Sequence, residues 1–343
     1  MSNIPTTVSD RVLSLGVLCH NEEASIERML ASVMRQSLWR ATPAGRRQIV
    51  VCANGCTDGT AAIVRRVAAA VPELELIELN HAGKSQSWNV LRSHLRTDAA
   101  WWFFADADVL LHWRALERMA DTAEEHPESS VIASLTVSSA RFYPSARRSP
   151  LIAARVESER LKPPRREVSA RLYAVRRETA ACLDLPAGLL NEDQYLTRLL
   201  GAERIWRCRN AYVFFREPTT VADLVRYQVR TRIGSFQARR IAAQPIDSSR
   251  SLPAAARRAA LWHRLSWRAR AGKIAWLPLR LYVEWQARHF DPVRLRDTFW
   301  MSVGSSKLPP LRRLRTPPVV WSGKVELPLA PGLVEPPSGE VVP

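Results

Sequence analysis

The sequence predicts an α/β protein built on a mostly parallel sheet flanked by helices, with a basic, tryptophan-rich helical extension at its C-terminal side. Three observations carry this. Short apolar runs alternate with amphipathic stretches from residue 12 to about residue 125, the pattern of βαβ units. Each apolar run ends in a short polar, acidic or glycine-bearing stretch. Past about Ile241 the periodicity changes, and Arg, Ala and Trp dominate.

The elements follow in order. "VLSLGVLC" (12–19) reads as a buried strand, followed by a helix from Glu23 to Arg35. "QIVVCA" (48–53) is the second strand, and after a Gly/Thr-rich turn a helix covers "AAIVRRVAAAV". "LELIEL" (74–79) is the third, with a helix across "SQSWNVLRSHL". "AAWWFFA" (99–105) is the fourth, with a helix across "WRALERMADTAEE". Beyond it, "SVIASLTVS", "SARLYAVRRE" and "AYVFF" read as strands, and "RLKPPRREVS" as a Pro-broken basic loop. "NEDQYLTRLLG" opens a helix with acids in its first turn, and threonines cap a long helix over "TTVADLVRYQVRTRIGSF". Near Pro278 a helical pattern is expected to break, after which Leu279, Tyr282, Val283, Gln286 and Phe290 recur on one face.

With 46% hydrophobic and 24% charged residues the chain can bury a core, which excludes disorder over its whole length. The 50 Lys and Arg against 33 Asp and Glu give a net charge of +17. Residues 250–315 alone hold 15 basic and 3 acidic residues, a segment attracted to phosphate on nucleic acid, anionic lipid or an acidic substrate. Cys19, Cys52, Cys56, Cys182 and Cys208 fit neither a paired disulfide framework nor a CxxC metal pattern, and read as small hydrophobes in a reducing compartment. The N-terminus lacks an apolar signal core. The longest stretch free of charge, Ser129–Ala140, is far short of the roughly 20 residues of a spanning helix. The expected location is cytoplasmic, or peripheral on the inner face of a membrane.

In a sheet of this kind ligands bind where strand ends meet their loops. Those loops read "HNEE" (20–23), "NGCTDGT" (54–60), "NHAGK" (80–84) and "DAD" (106–108). Asp106 and Asp108 repel each other unless a cation or strong donors lie between them. Residues i and i+2 of an extended chain share a face, so both can approach one ion, and carboxylates suit Mg²⁺ or Mn²⁺, which also bind diphosphate oxygens. Taken alone, such a pair more often forms a turn and helix cap. Asn54 and Asp58 could hydrogen-bond a base or ribose. Glu192 and Asp193 open a helix, where the dipole favours carboxylates, and either could serve as a general base. Lys84 and, on the long helix, Gln228, Arg230 and Arg232 could hold phosphate oxygens.

In their order, "VLCHNEEASIERMLASVMRQ", "IVVCANGCTDGT", "AGKSQSWN", "FFADADV", "LPAGLLNEDQYLTRLL" and "RYQVRTRIGSF" resemble the family 2 glycosyltransferases, which have the GT-A fold, across residues 12 to about 236. The resemblance implies an inverting transfer of a sugar from a nucleotide-diphosphate-sugar to an acceptor hydroxyl, in polysaccharide or glycolipid biosynthesis. It implies that Asp106 and Asp108 bind Mn²⁺ or Mg²⁺ on the donor diphosphate, and that His20, Glu22, Asn54 and Asp58 lie at the nucleoside. Lys84 matches a nucleotide-proximal position, Arg230 and Arg232 would hold phosphate, and Asp193 of the Glu192–Asp193 pair would be the base. A UDP-sugar is the first expectation for the donor, although Ala53-Asn54 stands where many members carry two acids. Arg232-Ile233 replaces the usual Arg-Trp, and this chain lacks the transmembrane helices of many relatives.

Other readings are a soluble small-molecule or peptide acceptor, a nucleotidyltransferase and a nucleic-acid-binding protein. A nucleotidyltransferase requires a Gly-rich basic loop where "HNEEAS" stands, without glycine. The basic, Trp-interleaved tail suits single strands, but no recognised nucleic-acid module appears. The expected division is a catalytic domain over 1–245, a basic amphipathic extension over 246–307, and a Pro-rich, extended or disordered tail over 308–343. The extension either meets an anionic membrane surface through residues 250–315, beside a lipid-linked acceptor, or packs on the catalytic domain.

Overall fold

The computed structural model describes residues 11–138, 149–161, 165–242, 259 and 261–289. Its strands are β1 (Leu13–Cys19), β2 (Arg47–Asn54), β3 (Leu74–Leu79), β4 (Trp101–Asp106), β5 (Val109–Leu111), β6 (Val131–Ser138), β7 (Leu172–Arg176) and β8 (Ile205–Phe215). They form one sheet in the order β3-β2-β1-β4-β7-β6-β8-β5. As expected, β1 to β4 are parallel neighbours. β7 then runs antiparallel to both β4 and β6, β8 lies parallel to β6, and β5 adds antiparallel to β8.

The helices are α1 (Ile26–Met34), α2 (Ser37–Ala41), α3 (Thr60–Ala68), α4 (Lys84–His94), α5 (Ala115–Glu125), α6 (Pro150–Leu161), α7 (Arg177–Ala181), α8 (Glu192–Leu200), α9 (Val221–Ile241) and α10 (Trp267–Arg288). They cover both faces of the sheet, which is why the central strands read as continuous apolar runs rather than alternating ones. All seven residues of β1 are buried. Leu13, Leu15 and Val17 pack with Met29, Leu30 and Val33 of α1 and Leu116 and Met119 of α5. On the opposite face Leu18, Val50 and Phe104 meet Trp88 and Leu91 of α4 and Leu196 of α8. Phe104 stacks between Trp88 and Tyr173, with ring centroids 5.0 and 5.5 Å away. The four aromatics ahead of the aspartate pair therefore anchor β4 from both sides.

Several elements differ from the sequence reading. β5 and α6 were not anticipated, and "SARLYAVRRE" is a shorter strand running into α7. α10 continues through Pro278. The missing N–H costs one helical hydrogen bond, but Pro278 lies on the solvent side while the opposite face is held by packing on α6 and α9. The buried residues of that inner face are Ala269, Gly272, Val283 and Ala287. Of the apolar face expected from Leu279 to Phe290, Val283 is buried, Leu279 and Gln286 are half-buried, Tyr282 is exposed and Phe290 lies outside the described residues. At Gly272 a Cβ would collide with the carbonyl oxygen of Pro150, and it would lie 2.9 Å from Cβ of Ala154. The small residues of α10 are thus what let it approach α6. The expected tail, residues 308–343, lies outside the described residues.

Candidate active site

A cleft of about 240 Å³ opens at the edge where β1 and β4 end. His20 and Glu22 enter it from the loop after β1, Lys84 from the start of α4, and Asp106 and Asp108 from the end of β4. Asn191 to Gln194 enter from the start of α8, and Tyr227, Arg230 and Thr231 from α9. Five segments far apart in the sequence therefore converge. Ala170 and Arg171, ahead of β7, and Phe215 to Pro218, after β8, complete the wall.

Lys84 is the hub. Its Nζ lies 2.8 Å from Asp106 Oδ1 and 2.8 Å from Glu192 Oε1, joining α4, β4 and α8. Burial by itself disfavours the ammonium, but the charges of Asp106 and Glu192 outweigh it and raise the Lys84 pKa. One cation among several acids cannot satisfy all of them. Glu192 is 1% exposed, and burial pushes it up to about 7 although Lys84 pulls the other way. Burial also raises Asp193, against the pull of Lys84 and a backbone hydrogen bond from Gln194 N to Oδ1 at 2.8 Å.

The Glu192 shift has a measurable consequence. Between its ordinary 4.5 and about 7 the folded chain holds a proton that the unfolded chain releases, so this group's contribution to stability falls as pH rises through that window. Chemical unfolding in chelator at about pH 5 and about pH 8 should show Glu192→Gln losing less stability between the two than wild type. Equal losses would assign the proton elsewhere.

Asp108 is raised by burial and by the neighbouring charge of Asp106, with Arg171, Lys84 and Arg230 opposing. The cleft lining carries six Asp and Glu side chains against four Lys and Arg side chains, an acidic surplus that a cation would offset. Among the described residues no three His, Cys, Asp or Glu side chains converge as a complete cage. Mg²⁺ and Mn²⁺ commonly take one or two carboxylates and fill the remaining positions with water and substrate phosphate. The Asp106–Asp108 pair fits that donor set.

Arg171 was missed by the sequence reading. β7 is antiparallel to β4 with Ala105 opposite Leu172, so Arg171 falls beside Asp106, whose N–H donates to the Arg171 carbonyl at 3.3 Å. Its guanidinium lies 3.4 Å over the ring of Phe215. No carboxylate among the described residues lies within 4.0 Å of it, although Glu217, Asp108 and Asp106 sustain its charge against burial. Arg216 and Glu217 also went unflagged, despite sitting at a strand end as the aspartate pair does. Glu217 is buried 3.6 Å from Arg155.

Other expected site residues do different work. His20 lines the cleft and donates Nδ1–H to the Asn54 carbonyl at 2.6 Å. Asn54 and Asp58 do not line it. The Asn54 side chain accepts from Gly83 N at 3.4 Å. Asp58 caps the start of α3 through Thr60 N at 3.0 Å and accepts from Glu23 N at 3.2 Å. With Thr57 N donating to Asn21 Oδ1 at 2.8 Å, the 54–60 loop holds up the "HNEE" loop. Gly55, at φ +56°, allows this, since a Cβ there would lie 2.6 Å from Ala82 N. Arg232 is a correction: two residues beyond Arg230 it points to another face of α9 and pairs with Glu284 of α10 at 2.6 Å. Gln228 also lies off the cleft.

Comparison with known proteins agrees with this architecture. No curated protein matches the sequence. Among solved structures, the mannosyltransferase PcManGT of Pyrobaculum calidifontis, in complex with GDP-Man and Mn²⁺, aligns with a TM-score of 0.53 at 19% identity, covering 89% of this chain and 88% of its own. S. aureus TarS 1–349 in complex with UDP aligns with a TM-score of 0.45 at 19% identity, covering 94% and 97%. Residues 14–180 match the family described as glycosyl transferase family 2. That span, just under half of the chain, holds Lys84, the aspartate pair and Arg171 and is similar to glycosyl transferase family 2; the chain is a glycosyltransferase.

Proposed function

We infer that this cleft transfers a sugar from a nucleotide-diphosphate-sugar to an acceptor hydroxyl, with inversion and with help from Mn²⁺ or Mg²⁺. The observation that carries the reading is the placement of Asp106 and Asp108, the cations Lys84, Arg171 and Arg230, and Asp193 around one cleft. The structurally similar mannosyltransferase that binds GDP-Man and Mn²⁺ supports it.

Asp106 and Asp108 would hold the metal, which when bound neutralises charge on the departing diphosphate. Arg171 and Arg230 add fixed positive charge where negative charge develops, and Phe215 keeps the Arg171 guanidinium oriented. Asp193 takes the acceptor proton. Its Oδ1 already accepts from Gln194 N, which leaves Oδ2 for the hydroxyl. As the acceptor oxygen bonds to the anomeric carbon, the bond from that carbon to the phosphate oxygen breaks on the opposite face. Glu192, sequestered beside Lys84, positions that lysine and leaves base catalysis to Asp193. The acceptor we favour is a lipid-linked or polysaccharide glycan.

A panel of UDP- and GDP-sugars with Mn²⁺, read by thermal stabilisation and by hydrolysis, tests the donor class. At least one member should stabilise the chain only with metal present. Stabilisation by none would remove the donor assignment.

A further inference from the structure

α10 is amphipathic in an unusual sense. Small residues, with Val283 and a half-buried Trp276, face the protein, and most of its large apolar residues face away. Trp267 is 77% exposed, Leu281 72% and Trp285 57%, and Ile274 and Leu277 are also exposed. At 100° per residue these five fall within one stripe, opposite Ala269, Gly272, Val283 and Ala287. The stripe runs from Trp267 to Trp285, about 27 Å along the helix. Solitary exposed apolar residues need no explanation, but an aligned row of this length does.

Charge identifies the occupant. Exposed Arg268 and Arg280 flank the stripe, and exposed Arg288 stands at its C-terminal end. The single acid of α10, Glu284, is turned inward to Arg232. A second copy laid against this face would bring arginine toward arginine, whereas an anionic lipid surface complements them. Tryptophans at both ends of a helix lying in the interface plane suit the boundary between headgroups and acyl chains. No described helix is long and apolar enough to cross a membrane.

We propose that the outward stripe of α10 is a docking surface for an anionic lipid bilayer, with the helix lying flat in the headgroup region. This deepens the glycolipid side of the functional reading without depending on the donor chemistry. The inner face of α10 packs on Val229 and Ile233 of α9, with Leu190 against the same cluster. Leu190 and Arg230 also line the cleft. Binding through the stripe holds the cleft one helix away from the headgroups, where the sugar-accepting end of a lipid-linked acceptor would be found.

The test is flotation of the full chain with vesicles of phosphatidylcholine alone or of equal parts phosphatidylcholine and phosphatidylglycerol. Wild type should float with the anionic vesicles and lose this in high salt. The combined Trp267→Ser, Leu281→Ser and Trp285→Ser variant should lose at least about tenfold in partitioning. Its thermal unfolding and its response to nucleotide-sugars should be unchanged, because the three side chains are exposed. Arg268→Gln, Arg280→Gln and Arg288→Gln together should lower anionic-vesicle binding by roughly 100-fold while leaving phosphatidylcholine binding unaltered. Failure of wild type to float overturns the proposal, as does undiminished floating of the stripe variant. A wild-type dimer that the stripe variant converts to monomer, with no lipid binding, would overturn it in favour of a second copy. None of these outcomes bears on donor binding, so this proposal and the transferase reading fail separately.

Discussion

Replacing Asp108 by alanine is expected to abolish the metal-dependent response to nucleotide-sugar and to lower transfer about 10³-fold, while the ligand-free chain stays as stable as wild type or becomes more so. The rate loss follows from what a metal contributes to a departing diphosphate: several kcal/mol, at about 1.4 kcal/mol per tenfold in rate. The preserved stability follows from the repulsion between the two neighbouring carboxylates. Burial and the charge of Asp106 both disfavour the ionised Asp108, so its removal relieves repulsion. Asp106 is the poorer choice of variant because it also holds Lys84 at 2.8 Å. Thermal melts with and without Mn²⁺ and donor separate the two effects. Mn²⁺ dependence unchanged in Asp108→Ala would remove this residue from the metal site.

Asp193→Asn is expected to lower kcat by about 10²–10⁴ while donor binding and donor-induced stabilisation persist. Asparagine keeps the acceptor for Gln194 N, so the start of α8 is undisturbed. It loses the ability to take a proton. Because burial raises Asp193 above the ordinary aspartate range, the wild-type chain holds a stronger base than a solvated carboxylate. The acidic limb of its pH–rate profile should lie correspondingly high, with activity falling as pH drops and the base becomes protonated. Single-turnover transfer at saturating donor measures the loss directly. Retained transfer would shift the base role elsewhere, with Glu217 the next carboxylate in the cleft to test.

The legibility of the site divides along the length scale of the contacts. β1 to β4 were readable because each is buried on both faces and so appears as an uninterrupted apolar run, punctuated by polar loops. Asp106, Asp108, Lys84 and the Glu192–Asp193 pair were readable because strand ends and helix starts are local features. Asn54 and Asp58 were assigned to ligand by the same local logic, and the structure gives them loop-supporting hydrogen bonds instead. A polar loop looks the same in sequence whether it faces a ligand or its neighbouring loop.

The sequence by itself determined the alternation of strands and helices and the edge at which the acids of the candidate site gather, since burial periodicity, turns and caps act over a few residues. Only the tertiary structure decided the rest. Arg171 reaches Asp106 because β7 pairs antiparallel with β4, a register that nothing near residue 171 encodes. Arg232 leaves the cleft because Glu284, more than fifty positions away, packs beside it. On α10 the hydrophobic pattern found only part of the inner face, because closeness to α6 at its first half is set by Gly272 and Ala269, residues too small to register as an apolar stripe. Pairing and packing across the chain, which have no signature in a single local window, chose those partners.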